Sequence, residues 1–386
     1  LLKVDGFRKK DIIYWTNIKG DGDRVSIIQR MIKKKHLVWV TLIRPRRAIN
    51  SLLTLLSFKF KLLRPWGQPL AVDIEPTNFC NLKCQHCQVS HWQKPKNRLT
   101  VDDFKSWIKQ FKTAIRIKLQ GMGEPFLNKE LPTIIKQLEK DNFYIEVVSN
   151  GTIMTEEIYE VITQTRHFKI TISFDGADKK TFESIRIGSD FDEIKANLTK
   201  MIQAKPRRSK ISACMVAFKE HQEQIKPTIE LLADLGVDEF YLQLVVINFG
   251  QNSLDKKTVE HRIKWKNQTD AFKTDLYETA RQKGLKMDIS DSLFDEQNPC
   301  PWPWLGTYID TEGYVIPCCH IANAEICNFG NLNQQDFRTI WYSKEYQGLR
   351  EQIKNNRIPN FCRSCYKPHN SEKGPRSEER RVRERV

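Results

Sequence analysis

The chain has 386 residues, enough to bury a full core and to form one large domain with a smaller one beside it. Its longest uncharged apolar run, 36–43, is far too short to span a bilayer. Ten cysteines would suit a secreted disulfide protein, but most of them fall into groups with the spacing of metal ligands. Because thiolate ligands need a reducing compartment, the composition predicts a cytoplasmic protein.

The first 69 residues are predicted to form a basic, mostly helical segment. The net charge of +16 is concentrated there, in the runs 33–35, 44–47 and 59–64. Between the last two runs, 49–58 has the pattern of an amphipathic helix. It either packs on the main domain with a solvated basic edge, or meets an anionic membrane, an acidic peptide or a phosphorylated substrate.

Strand-like and helix-like stretches alternate from residue 70 to about 250. The strand-like runs are 70–75, 115–120, 144–149, 168–174, 211–218 and 240–247, and the helical stretches lie near 102–112, 129–140, 155–164, 178–203 and 222–235. Six βα units in this order imply a parallel sheet with right-handed crossovers. The predicted fold class is therefore α/β, a partial (β/α)6 TIM-like barrel over 70–255, followed by a helical linker, 256–297.

Three cysteines follow the end of the first predicted strand, in the segment EPTNFCNLKCQHC. Cys80, Cys84 and Cys87 are separated by three and two residues, so that one loop can give three thiolates to one inorganic cluster. An iron–sulfur cube has four irons, and three protein ligands leave one iron open to bind a small molecule. Strand ends are also where α/β barrels place their chemistry. Zinc, with His86 or His91 as fourth ligand, is the alternative.

The composition changes from residue 298 onward, where Cys, Trp, Pro and Gly become frequent. This marks a small, metal-organised domain over 298–370. The stretch 308–318 reads as a β-hairpin with its turn at 311–313. The tail 371–386 is dense in charge and almost free of apolar residues, which predicts disorder.

The motifs on successive strands resemble those of radical S-adenosylmethionine (SAM) enzymes. CNLKCQHC is similar to the CxxxCxxC signature of that superfamily, GMGEP after the second strand to its GGEP motif, and SNGT after the third strand to its TNGT segment. SFDG after the fourth strand, with the arginine of ESIR, resembles the region that binds the ribose and carboxylate of SAM. The match covers about 70–250, and its one departure is His86, where the family usually has an aromatic residue.

The resemblance implies a role for each matching residue. The three cysteines would hold a 4Fe–4S cluster whose open iron chelates SAM, and His86 would lie against the adenine. Gly121 and Gly123 would let the backbone approach the methionine moiety, and Glu124 would accept a hydrogen bond from its ammonium group. Ribose and carboxylate contacts would come from Ser149, Asn150, Ser173, Asp175 and Arg186.

The C-terminal domain resembles the SPASM/twitch extension of radical SAM enzymes, including its G-x4-C element. The resemblance implies one auxiliary 4Fe–4S cluster, in the twitch manner, held by Cys300, Cys318, Cys362 and Cys365. Two separated cysteines and a CxxC pair would also suit structural zinc. Cys319 adjoins a ligand, so it either replaces Cys318 or faces the substrate, and it joins Cys327 as a weak candidate for a catalytic thiol.

These features predict a radical SAM oxidoreductase that forms a 5′-deoxyadenosyl radical and removes a hydrogen atom from a peptide or carbohydrate-like substrate. The auxiliary cluster would handle the substrate-derived electron, and flavodoxin or ferredoxin would supply reducing power. One alternative is a radical SAM RNA methyltransferase, because GMGEP followed by Asn128 resembles that group and the charge favours nucleic acid. Such enzymes are not expected to carry the C-terminal module. A zinc-organised binding protein is the alternative without catalysis.

Overall fold

The computed structural model describes residues 44–87, 89, 95–244, 270–290 and 294–366. The first 43 residues, His91 and the predicted disordered tail 371–386 lie outside the described residues. So does the first part of the predicted helical linker.

The helices and strands alternate along the described chain much as the sequence pattern predicts. The strands are Ala71–Ile74 (β1), Arg116–Leu119 (β2), Tyr144–Ser149 (β3), Phe168–Ser173 (β4), Lys210–Ala217 (β5), Glu239–Leu244 (β6), Lys286–Ser290 (β7), Gly306–Ile309 (β8) and Val315–Ile316 (β9). The α-helices are Pro45–Lys59 (α1), Val101–Ile108 (α2), Leu131–Lys140 (α3), Glu156–Gln164 (α4), Lys179–Ile185 (α5), Phe191–Ala204 (α6), Ile225–Asp234 (α7), Asp270–Gln282 (α8), Trp302–Leu305 (α9), Phe337–Trp341 (α10) and Lys344–Lys354 (α11).

One sheet holds all nine described strands in the order β7-β6-β5-β4-β3-β2-β1-β8-β9. The six predicted strands, β1 to β6, are all present and pair in parallel as neighbours along the chain. The sheet then continues beyond the prediction on both edges. β7 pairs in parallel with β6, and β8 pairs in parallel with β1. The interval predicted as a helical linker thus also contains a strand, and the C-terminal domain shares the sheet of the barrel.

Local sequence signals explain where several of the covering helices begin. The side chains of Thr100, Thr155, Asp178 and Asp190 each accept a hydrogen bond from a backbone N–H in the first turn of the helix that follows. The apolar faces of these helices then pack on the strands in one large core, which includes Phe104, Ile158, Phe182 and Leu198. This frame holds the strand ends, and the loops that follow them, in fixed positions.

Helix α1 packs on the rest of the fold through a buried polar face, with the apolar side chains of Leu55 and Phe58 packed on the core as well. Arg47, Asn50, Thr54 and Ser57 are buried on one face of the helix. The Arg47 guanidinium donates to the backbone carbonyls of Lys112, Asp141 and Asn142. These carbonyls precede β2 and β3, so α1 covers the end of the barrel where the strands begin.

The predicted hairpin in the C-terminal domain is confirmed by β8 and β9, which pair antiparallel through Tyr308 and Ile316. Gly313, in the turn, has a φ of +87°, a backbone conformation that favours glycine. The Asp310 carboxylate accepts from the backbone N–H groups of Glu312 and Tyr314 and so closes the turn. The chain after β9 leads directly to Cys318.

Candidate active site

The loop that carries the first three cysteines leaves the end of β1 and is bound to the GMGEP segment. The backbone N–H of Gly123 donates to the carbonyl of Thr77 (3.1 Å), and that of Glu124 donates to the carbonyl of Phe79 (2.8 Å). These two bonds fix the backbone just before Cys80. Further along, the N–H of Lys83 donates to Ile187 and that of Gln85 to Ile185, which fixes the loop to the end of α5.

The two glycines of the motif are required by contacts inside the protein. A Cβ on Gly123 would lie 2.3 Å from the Phe79 carbonyl oxygen and 2.5 Å from that of Thr77. A Cβ on Gly121 would lie 2.2 Å from Cγ of Glu75. The prediction that these glycines let the backbone approach the methionine moiety stays a prediction. The close approach that the structure shows is to the cysteine loop and to Glu75.

Substitution Gly123→Ala is expected to displace the cysteine loop, because both crowding groups are backbone atoms that cannot rotate away. We expect a loss of roughly 2–3 kcal/mol in the free energy of unfolding, with less iron bound on anaerobic reconstitution. Gly348→Ala in α11 is the matched control, because a Cβ there meets nothing within 4 Å. It should stabilise the helix by about 0.5–1 kcal/mol. Equal iron content in both variants would contradict the prediction.

Glu124 links the GMGEP segment to the end of β3. Its carboxylate is buried and accepts hydrogen bonds from the Ser149 hydroxyl (2.8 Å), the Asn150 N–H (2.6 Å) and the Phe126 N–H (3.1 Å). The Ser149 hydroxyl in turn accepts from the N–H of Gly151. The predictions that Glu124 binds the ammonium group and Ser149 the ribose stay predictions. Both residues position the strand ends.

Asn150 lies against the first cysteine. Its side-chain N–H donates to the Cys80 sulfur (3.7 Å) and to the side-chain oxygen of Asn81 (2.9 Å). Its own oxygen accepts from the backbone N–H and the hydroxyl of Thr152. Asn150 thus contacts a thiol of the cysteine loop, and its predicted ribose contact stays a prediction. Hydrogen bonds to sulfur ligands tune the reduction potential of an iron–sulfur cluster.

His86, Asp175 and Arg186 come together in a buried cluster beside the cysteine loop. Arg186 Nη2 lies 2.7 Å from Asp175 Oδ2, and His86 Nε2 lies 3.9 Å from the same oxygen. The His86 ring packs at a tilt on Phe218, with 5.2 Å between ring centroids. Burial lowers the pKa of His86 to about 4, so the ring is neutral at pH 7.

Three polar atoms of this cluster are buried without a hydrogen-bond partner among the described residues: His86 Nδ1, Arg186 Nε and Asp175 Oδ2, the last of which is ion-paired with Arg186. Buried polar groups in proteins are normally satisfied, so these atoms fit a bound polar molecule. The half-buried hydroxyl of Ser173 also has no hydrogen bond to a described residue. Since Ser173 is the last residue of β4 and Asp175 follows it, the predicted SAM contacts of these residues and of Arg186 remain consistent with the geometry.

Glu75 was not predicted as a site residue. It connects the GMGEP segment with the β8–β9 hairpin of the C-terminal domain. Its carboxylate accepts from the Met122 N–H (2.7 Å), from the Tyr308 hydroxyl (3.2 Å) and from the Thr311 N–H (3.2 Å). Burial raises the pKa of Glu75 to about 7, although these hydrogen bonds oppose the rise. Its position, as an acidic residue at the end of the first predicted strand, is the only sequence signal that could have identified it.

The raised pKa of Glu75 predicts a pH dependence of stability. Because the folded-state pKa lies above the unfolded value of 4.5, the protonated form stabilises the fold below pH 4.5, and this stabilisation is lost as the pH rises to about 7. The full shift corresponds to an upper limit of roughly 3 kcal/mol. Thermal unfolding of wild type and Glu75→Gln from pH 5 to 8 should show a flatter pH dependence for the variant. Parallel curves would contradict the prediction.

The three thiols of the loop fit an iron–sulfur cluster by their chemistry. Burial raises the pKa of Cys80 and Cys84, and raises that of Cys87 to about 12. The thiols also raise one another's pKa, which places them near each other. Thiolate ligands therefore need a strongly cationic group beside them, and an iron–sulfur cluster supplies it. These residues fit that group, and the neighbouring His86, Asp175 and Arg186 fit SAM.

The second cysteine group is organised around Cys318. Burial raises the pKa of Cys318 well above its ordinary value, and so do the nearby thiols of Cys300, Cys362 and Cys365. The group is held together by hydrogen bonds from the Cys300 N–H to the Tyr366 hydroxyl (3.0 Å) and from the Phe294 N–H to the Cys365 carbonyl (2.8 Å). Four half-buried thiols that influence one another's pKa fit a fully ligated 4Fe–4S cluster.

Cys319 faces a different environment from its neighbour. Burial raises the pKa of its thiol to about 12, and the Asp73 carboxylate, which is hydrogen-bonded to it, adds to the rise. The Lys118 ammonium and the Arg116 guanidinium lower the same pKa, so both are close by. These three residues lie on β1 and β2. The Cys319 thiol also raises the pKa of Cys300 and of Cys318, so it lies near the second cysteine group as well as the strands, and Cys318 as the iron ligand stays a prediction.

The strands present further charged side chains around Cys319. Asp73 accepts from Arg116 Nη2 (2.9 Å) and from the Gln120 amide (2.8 Å), and Arg116 also donates to Glu146. Lys118 pairs in register with Asp73, and no ion pair of its ammonium is found in the described parts of the chain. Sequence patterning missed this charged cluster, because alternate polar residues in a strand usually indicate a solvated face. Cys327, the other candidate thiol, packs against the main core.

Two alternatives receive no support from the site. Among the described residues, no group of three or more His, Cys, Asp or Glu side chains is arranged to hold a single metal ion. A structural zinc ion would need such a group.

The Asn128 amide, part of the likeness to RNA methyltransferases, donates to the backbone carbonyls of Pro76 and Leu99. Its role here is to join two loops.

Comparison with known families identifies two matching domains. The radical SAM superfamily model matches residues 74–232, and the SPASM model, an iron–sulfur cluster-binding domain, matches residues 300–366. A search for membrane spans found no helix in the described residues that is long and apolar enough to cross a bilayer.

Several characterised proteins are similar over most of this chain. The tungsten-containing aldehyde ferredoxin oxidoreductase cofactor-modifying protein of Pyrococcus furiosus is 22% identical over 76% of this chain and 86% of its own. The AdoMet-dependent heme synthase of Methanosarcina barkeri is 23% identical over 73% and 85%.

Solved structures share the fold. SuiB of Streptococcus suis with bound S-adenosylmethionine has a TM-score of 0.59 at 18% identity, over 73% of this chain and 68% of its own. The AdoMet-bound anSMEcpe has a TM-score of 0.57 at 15% identity, over 81% and 84%. With both family domains present on an α/β fold, the chain belongs to the radical SAM superfamily and is a SPASM-type radical SAM enzyme whose cofactors are 4Fe–4S clusters and SAM.

Proposed function

We propose that this enzyme is an oxidoreductase that removes a hydrogen atom from a polar peptide or carbohydrate-like substrate held beside Cys319. When bound, the cofactors supply the radical chemistry: SAM is reductively cleaved to a 5′-deoxyadenosyl radical that takes the hydrogen atom, and the auxiliary cluster accepts one electron. The observation that carries the proposal is the environment of Cys319. This thiol follows a residue of the second cysteine group directly and lies against charged side chains of β1 and β2.

The charged cluster gives the protein's own residues two tasks. The Lys118 ammonium is available to bind an anionic or carbonyl group of the substrate. The Asp73 carboxylate, held by Arg116 and Gln120, is available to accept the proton that the hydroxyl or amine group of the substrate loses after the neighbouring carbon has lost its hydrogen atom and one electron has passed to the auxiliary cluster. Cys319 donates a hydrogen bond to Asp73 and thereby positions it.

Both substrate classes are compatible with such a cluster, because peptides and carbohydrates both present polar groups next to the C–H bond to be broken. Support for a peptide comes from solved structures that share the fold, since SuiB has been solved bound to the precursor peptide SuiA and anSMEcpe with a bound peptide. Support for a small molecule comes from the relatives named a cofactor-modifying protein and a heme synthase. We propose a flavodoxin or ferredoxin as reductant and, because the thiols must stay reduced, a cytoplasmic location.

The test is a stimulation assay with anaerobically reconstituted enzyme, SAM and dithionite. Panels of synthetic peptides and of sugars and aminocyclitols are added separately, and 5′-deoxyadenosine is measured by mass spectrometry. A substrate should raise its formation and should lose two hydrogens or gain a crosslink. Transfer of labelled methyl from SAM to ribosomal RNA would instead support the methyltransferase. Methyl transfer, or iron-free protein with bound zinc, would overturn the proposal.

A further inference from the structure

We propose that the outer face of helix α1 and the loop after it form a surface that binds an anionic phospholipid bilayer. Six large apolar side chains are exposed in the described part of the chain, and four of them lie in this one segment. Ile49, Leu52, Phe60 and Trp66 are each more than half exposed, at 59%, 54%, 55% and 56%. We call these four residues the apolar patch.

The patch results from a helix that buries a polar face and exposes apolar side chains, which is the reverse of an ordinary surface helix. As described above, the face turned toward the barrel carries Arg47, Asn50, Thr54 and Ser57, all buried. They satisfy backbone groups of the protein: Asn50 and Thr54, for example, both donate to the carbonyl of Gln68 (3.1 and 2.8 Å). The polar face contacts the protein, Leu55 and Phe58 pack on the core, and Ile49 and Leu52 point outward. A soluble helix would normally bury such residues, which indicates that the outer face serves a partner.

Cations border the patch on both sides. In helical projection the exposed Arg46 and Lys59 lie on opposite flanks of Ile49 and Leu52, and Arg64 is exposed beside Trp66. The Lys59 ammonium lies 5.9 Å from the centre of the Phe60 ring, and the rings of Phe60 and Trp66 are 6.4 Å apart. Aromatic and aliphatic residues flanked by Lys and Arg are the composition of interfacial helices that bind anionic membranes.

A basic cleft of about 450 Å³ lies next to the start of the same helix. Arg44, Lys105, Lys109 and Lys112 line it, with one acidic residue, Asp141. Phosphate groups of lipid headgroups match this charge, and the apolar patch carried by the same helix matches the acyl region. The positive charge of the cleft beside this helix favours a lipid surface over an uncharged protein partner.

The position of the patch leaves the active site accessible. The carbonyls that α1 binds precede β1, β2 and β3, whereas the cysteine loop and the predicted SAM residues follow the opposite ends of the strands. A bilayer bound to α1 would therefore lie at the end of the barrel away from the cofactors. The proposal is independent of the substrate, and it adds a site of attachment to the enzyme.

The test is flotation of the full-length, anaerobically purified protein with vesicles of phosphatidylcholine, with and without phosphatidylglycerol. Wild type should float with the anionic vesicles and much less with the neutral ones, and added salt should weaken binding. Ile49→Ser with Leu52→Ser should lower the affinity by about tenfold or more. Both residues are exposed, so the double variant should unfold at the same temperature as wild type. Tyr277→Ser, which removes an exposed aromatic residue of α8 that lies outside the patch, should not change binding.

Three results would overturn the proposal. One is equal binding to neutral and anionic vesicles, or no binding to either kind of vesicle. Another is unchanged affinity of the double serine variant. The third is a dimer, seen by light scattering, that the double variant converts to a monomer, because a second copy of the chain would then cover the patch.

Discussion

Replacing Cys80, Cys84 and Cys87 together by alanine is expected to abolish reductive cleavage of SAM. The loop supplies all the protein ligands of the first cluster in our assignment, so no thiolate remains to hold it. Formation of 5′-deoxyadenosine should fall by at least about a thousandfold, and the iron content should fall from about eight to about four per chain. Mass spectrometry of the nucleoside and a colorimetric iron assay measure the two quantities.

The reciprocal variant is Cys362→Ala with Cys365→Ala, which also removes buried thiols but from the second group. It should lose a similar amount of iron and retain SAM cleavage, although the cleavage should no longer be coupled to substrate oxidation. Circular dichroism of both variants separates loss of a cluster from loss of the fold. Wild-type cleavage in the triple variant would overturn the assignment of the first site.

Much of the barrel could be predicted, because its strands and helices carry strong local signals. The first six strands alternate regularly with helical stretches, and several of those helices begin at Thr or Asp caps. β7 and β8 lie outside this alternation. β8 pairs with a strand more than two hundred positions earlier, and β7 falls in an interval that reads as helical. Such pairing is a tertiary property that no local pattern encodes.

The chemistry of the site was easier to predict than the contacts of its residues. The cysteine spacings identified both groups of thiols, because a cluster imposes a spacing on the chain. Glu124, Ser149 and Asn150 were predicted to contact SAM, but their hydrogen bonds are to one another, to backbone groups and to Cys80. Which polar atom a buried side chain meets depends on how separate strand ends pack together, and the sequence does not specify that packing locally.

The adjacent residues Cys318 and Cys319 are expected to give opposite results when each is changed to alanine. Cys318→Ala removes a thiol that lies among Cys300, Cys362 and Cys365. Its iron content should therefore fall from about eight to about four per chain, with loss of the auxiliary cluster's signal in electron paramagnetic resonance. Cys319→Ala should keep about eight irons and both signals, because that thiol lies against Asp73 and Lys118.

Activity should separate the two variants further, once the stimulation assay has provided a substrate. Cys319→Ala should lower kcat/KM for substrate oxidation by roughly a hundredfold, because Asp73 loses a hydrogen-bond donor that positions it as proton acceptor. Cys319→Ser should recover part of this loss, since a hydroxyl can still donate to the Asp73 carboxylate, whereas Cys318→Ser should recover neither iron nor turnover. If Cys319→Ala loses the auxiliary cluster and Cys318→Ala retains it, the two roles are reversed, and the thiol that faces β1 and β2 is the iron ligand.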